Sequence, residues 1–82
     1  MQVYLRKIEE SENDITYSFG SFAQHDGILK LDKSTGKSDL IKNFSLERND
    51  NTFFNIAKGC LYVQWKSGIK EYPETFNFCP GW

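Results

Sequence analysis

His25 and Asp26 stand side by side, and Cys60, Cys79 and the run Lys33-Ser34-Thr35-Gly36-Lys37 supply the other side chains with reactive chemistry. A histidine becomes a general base when a neighbour orients it and a nucleophile lies within hydrogen-bond reach. Here the chain's one histidine abuts Asp26-Gly27, a turn signal, so the pair reads as part of a turn. Cys60 falls on the apolar face of a helix, where burial raises a thiol's pKa and makes it inert. One His and two separated Cys give no C-x-x-C or H-x-x-x-H spacing for a metal. The KSTGK run lacks the G-x-x-x-x-G-K-[ST] order that cradles phosphate and reads as a turn. No catalytic residue, no metal site and no cofactor is therefore expected, and the chain is read as a non-enzyme.

The polar run 9–14 is more informative. Glu9, Glu10, Glu12 and Asp14 place four carboxylates within six residues. Their mutual repulsion is best tolerated at an exposed tip. Such a tip is either a solvated loop or a surface that speeds association with a basic partner. It would also imitate the charge spacing of nucleic acid.

Composition narrows the classes. The 82 residues carry a net charge of −1, and the ten basic residues are scattered. A phosphate-binding protein usually shows a basic patch or stripe, so nucleic acid is not expected as a partner. No apolar run approaches the ~18 residues a membrane span requires. The N-terminus MQVYLRKIEE has no apolar signal region and starts on Met, so the expected location is cytoplasmic. Two reduced thiols fit that compartment. A Cys60–Cys79 disulfide would need the tail to fold back on the helix, and spacing does not decide it.

The elements that must position these residues follow from periodicity. Strands are expected at about 2–8, 15–23, 27–32 and 37–46, from alternating apolar residues. Gly20 marks a weak point or bulge in the second strand. Asp26-Gly27 should close a tight hairpin with positive φ, and Gly36 should take the left-handed position of the next turn. Alternation breaks at Leu40-Ile41, which leaves that register open. Phe53, Ile56, Ala57, Cys60, Leu61 and Trp65 recur at helical spacing and define a helix at about 51–67. Asp50 or Asn51 is the expected cap, Lys66 lies at the negative end of the dipole, and Gly68 is the stop. The apolar arc of this helix, from Val63 round to Trp65, spans about 200°. One sheet covers about 100°, so something else must cover a flank. The tail, 69–82, holds Tyr72, Phe76, Phe78 and Trp82 and is the nearer candidate, a partner or second copy the other; Gln64, inside the arc, either bonds to the tail backbone or marks where the arc meets solvent. The fold class is α+β, one domain over 1–82: a four-stranded antiparallel meander with one amphipathic helix packed across it and an aromatic C-terminal tail.

Thr35-Gly36, Phe54, Ala57, Trp65, Gly68 and Pro73-Glu74 give the second half a likeness of its own. It resembles a loose set of small, poorly characterised bacterial proteins in which β-hairpins with a T-G turn lead into a helix ending W-x-x-G and a short P-E segment. Two extra residues before Pro-Glu and a longer aromatic tail depart from that pattern. The resemblance implies the ββββα order and brings no activity.

The expected function is protein binding. Its most specific form is an immunity protein that neutralises a toxin domain with a basic surface, such as a nuclease, through Glu9, Glu10, Glu12 and Asp14. The alternative is a structural or regulatory homodimer that pairs with a second copy through Tyr62, Trp65, Tyr72, Phe78 and Trp82. A small enzyme or ligand carrier would need a pocket.

Overall fold

Apolar residues at every second position bury one face of a sheet, and the register shows which positions share it. The computed structural model describes residues 3–21, 23–47, 51–68 and 71–76. Its elements are β1 (Tyr4–Glu10), β2 (Asp14–Gly20), β3 (Gly27–Asp32), β4 (Ser38–Lys42), α1 (Thr52–Lys66) and β5 (Thr75–Phe76). The strands form one antiparallel sheet in the order β4-β3-β2-β1-β5. Cross-strand partners Leu5↔Phe19, Tyr17↔Leu29 and Ile15↔Leu31 place six fully buried side chains on one face. Helix α1 packs over β2 and β3 on that face and buries Phe54, Ala57 and Leu61. The expected meander of four strands and one helix is thus present, with a short fifth strand added by the tail.

Three boundaries differ from expectation, each for a local reason. β2 ends at Gly20, and residues 21–26 form a wider connection in which Ser21 N–H donates to Gln24 O at 2.8 Å. Gly27 is therefore not a turn residue but the first residue of β3; a Cβ there would lie 2.6 Å from the Phe19 ring, so close packing requires glycine. β4 ends at Lys42 because Ile41 is a bulge: Leu29 pairs with Leu40 but Ile28 with Lys42. That bulge is the break in alternation at Leu40-Ile41. A second bulge, between Lys7 and Glu9, lets β1 run on to Glu10.

The helix start also differs. Asn51 is in the N-cap position, but its side chain does not cap. Its Oδ1 accepts from Asn43 Nδ2 at 2.8 Å, while Glu47 Oε2 accepts the Phe53 N–H at 2.7 Å. A carboxylate four residues earlier thus serves the N-terminal donors and the positive dipole end. Asp50 lies outside the described residues. At the other end Gln64 takes the first of its two expected roles: its Nε2 donates to Glu71 O at 3.1 Å. The tail then continues onto the sheet. Tyr72 is buried, Pro73 O accepts the Tyr17 hydroxyl at 2.6 Å, and Glu74 O accepts Lys7 N–H at 2.7 Å. Burial, with the Glu10 and Glu74 charges, pushes the Tyr17 phenol above its ordinary pKa, so it stays a donor. On the wide helical arc Val63 remains 60% exposed.

The C-terminal turn of α1 is pinned by Trp65. Its Nε1–H donates to Lys33 O at 2.7 Å, and its ring lies against Gly36, where a Cβ would approach to 2.5 Å. Gly36 has φ +76°, as its place in the turn anticipated. Gly36→Ala should cost more than the ~1–2 kcal/mol of a left-handed L-residue, because the indole must also move. Trp65→Phe, which removes the hydrogen bond and part of the ring that rests on Gly36, should cost more than the roughly 1 kcal/mol of the hydrogen bond alone. Urea unfolding followed by circular dichroism checks both, and losses no greater than those two values would show that the ring does not rest on Gly36.

Candidate functional site

The carboxylates of the first hairpin do not stand alone. Ser11 and Asp14 close the tip: Ser11 N–H donates to Asp14 O at 2.8 Å, and Ser11 Oγ accepts from Asp14 N–H at 3.1 Å. Glu10 is held by Lys33 Nζ at 2.7 Å and Lys7 Nζ at 3.0 Å, and Asp14 faces Lys30 Nζ at 3.6 Å. Hydrogen bonds from Lys33 and then Lys7 keep the Glu10 carboxyl below the usual glutamate range. Three lysines therefore stand against the four carboxylates. Glu9 and Glu12 are exposed and make no ion pair among the described residues.

The aromatic alternative is divided in the same way. Tyr72 is 7% exposed and roofed by Lys33 Nζ at 5.4 Å from its ring centre, so it belongs to the core. Trp65 is half-buried and committed to Lys33 O and Gly36. Tyr62, 43% exposed, is the member that presents a surface. Phe78 and Trp82 lie outside the described residues.

The residues weighed for catalysis are dispersed. His25 meets the Tyr4 ring edge-on at 4.6 Å. Asp26 Oδ1 instead accepts the Ser45 N–H at 3.0 Å, which lowers its pKa and ties the 21–26 connection to the segment after β4. Cys60 is disulfide-bonded, which corrects the expectation of two reduced thiols; Cys79 lies outside the described residues. Disulfides persist in oxidising compartments, so this cysteine lends no support to a cytoplasmic location. Among the described residues no three His, Cys, Asp or Glu side chains gather around a point, and no helix is long and apolar enough to cross a membrane.

An open groove of about 450 Å³ is lined, apart from Tyr62, by residues to which sequence reasoning gave no role in binding. One wall is the β3–β4 turn and the start of β4: Thr35, Gly36, Lys37 and Ser38. The turn is built by Asp32, whose Oδ1 accepts Ser34 N–H at 2.9 Å and Ser34 Oγ–H at 2.7 Å, while Asp32 O accepts Gly36 N–H at 2.8 Å. These Ser34 bonds hold the Asp32 carboxyl below its ordinary pKa. The other wall is one stripe of α1, with Asn55, Lys58, Gly59 and Tyr62 at i, i+3, i+4 and i+7. Among the described residues no carboxylate lines the groove. Lys37 and Lys58 are exposed and make no ion pair among the described residues. Ser38 Oγ is buried there and makes no hydrogen bond among them. That this stripe faces Lys37 was not legible in the sequence, because a turn and a helix far apart along the chain must first be folded together.

No family model, no curated protein and no solved structure matches this chain.

Lys33 joins these surfaces, and its charge can be removed without its stem. Lys33→Met should lose up to about 1 kcal/mol at pH 7, the upper range for solvent-exposed ion pairs. The pH dependence has a fixed sign. The lowered pKa of Glu10 means that its pairing stabilises the fold above the ordinary glutamate value of about 4.3, and that this is lost as pH falls through the lowered value. Wild-type stability should fall more steeply than that of Lys33→Met across that acid window. Parallel curves in urea titrations would show that the Glu10 pairing contributes nothing.

Proposed function

We propose that this chain is a non-enzymatic protein-binding module that works through the side of the domain where β4 meets α1. The observation that carries this is a sheet edge left unpaired among the described residues, beside a cationic groove: β4 ends the strand order, and Lys37 and Lys58 line the adjoining space. An exposed strand edge is a ready template for a partner's backbone, and a neighbouring groove gives side-chain selectivity. The dispersal of His25, Asp26 and Cys60 supports binding over catalysis.

A second reading keeps the hairpin tip as the binding surface, with an immunity protein for a toxin of basic surface as its specific form. Its support is the exposure of Glu9 and Glu12 at the tip. The pairing of Glu10 and Asp14 with lysines reduces the field that such a tip projects.

Affinity capture from the native host with the full chain separates the two. A protein bound by wild type and lost with Lys37→Glu/Lys58→Glu, but kept by Glu9→Lys/Glu12→Lys, is the expected result. The reverse pattern selects the hairpin tip. For rim charges at the tip, the loss should appear in the association rate and shrink with salt. No protein distinguished from an unfolded control would remove the binding reading altogether.

A further inference from the structure

We propose that an acidic, extended segment of a partner protein adds to β4 as a sixth strand and sends its carboxylates into the groove toward Lys37 and Lys58; this deepens the binding reading above and rests on it. The geometry begins with the ladder. Asp32 N–H donates to Lys37 O at 2.8 Å, and Lys30 pairs with Asp39. In an antiparallel pair the bonded residues alternate, so the peptide groups of Ser38 and Leu40 face away from β3. Among the described residues no hydrogen bond to another part of the chain uses them. They offer two N–H and two C=O groups in a row.

The length and polarity of the added segment follow from what flanks that row. The bulge at Ile41 ends regular pairing, so the acceptor strand is short and the guest is held as much by side chains as by its backbone. Side chains on the guest's inner face would point under α1, beside Asn55, Lys58 and Tyr62. Among the described residues two lysines and no carboxylate line that space, in a chain whose net charge is −1. Lys58 lies with Nζ 5.3 Å from the Phe54 ring centre, which holds its charge at the wall.

The test uses the full chain labelled with ¹⁵N and two capped peptides, one alternating Glu and Thr, the other Lys and Thr. The Glu peptide at millimolar concentration should shift the Ser38 and Leu40 amides and slow their exchange with solvent. The Lys peptide should not. Lys37→Glu/Lys58→Glu alters exposed residues, and its circular dichroism should match wild type; it should bind the Glu peptide at least tenfold more weakly. Shifts absent from β4, equal binding of the two peptides, or shifts that appear with protein concentration alone, as a second copy would cause, each overturn the proposal. If the peptides fail while a captured partner persists, the acidic strand falls and the binding module stands.

Discussion

Lys33 is where the separate parts of this domain are tied together. Its N–H donates to Asn13 O, its carbonyl accepts the Trp65 indole, and its ammonium reaches Glu10 and Ser11 O. The same ammonium covers the Tyr72 ring. One residue thus joins the first hairpin, the second turn, the end of the helix and the start of the tail. These regions are distant in sequence, so each bond closes a long loop and depends on the others for its geometry.

That knot sets the position of the helix. α1 lies on β2 and β3, and its two ends are fixed by different means. Glu47 and the Phe44–Phe53 ring pair, 4.7 Å apart, hold the N-terminal end; Trp65 on Gly36 holds the other. The wide apolar arc is consequently shared between the sheet and these rim contacts, with Tyr62 and Val63 left outward. The groove exists because α1 is held at the level of the β3–β4 turn, while the edge strand β4 stops short beneath it.

Charge is distributed with the same asymmetry. The lysines nearest the hairpin tip are spent on carboxylates of the domain itself. Those of the groove, Lys37 and Lys58, are not paired among the described residues. Among the described residues the charges at the tip are thus largely compensated, whereas Lys37 and Lys58 beside β4 are not.

Local pattern alone determined the α+β class, the meander, the span of α1, the left-handed Gly36 and the absence of motif spacing for metal or phosphate. These follow from periods of 2 and 3.6 and from the steric freedom of glycine, which act within a few residues. The Leu40-Ile41 break was visible too, although only the register showed it to be a bulge. Tertiary structure decided the rest. A run of four carboxylates looks acidic in sequence, but Lys7, Lys30 and Lys33 reach it only after the strands pair. Gly27 looks like a turn until the Phe19 ring is placed across from it. Asn51 looks like a cap until Glu47 takes its donor. The groove joins a turn to a helix stripe that no sequence period connects. In each case the deciding partner is far along the chain, and its distance is set by packing rather than by any local preference.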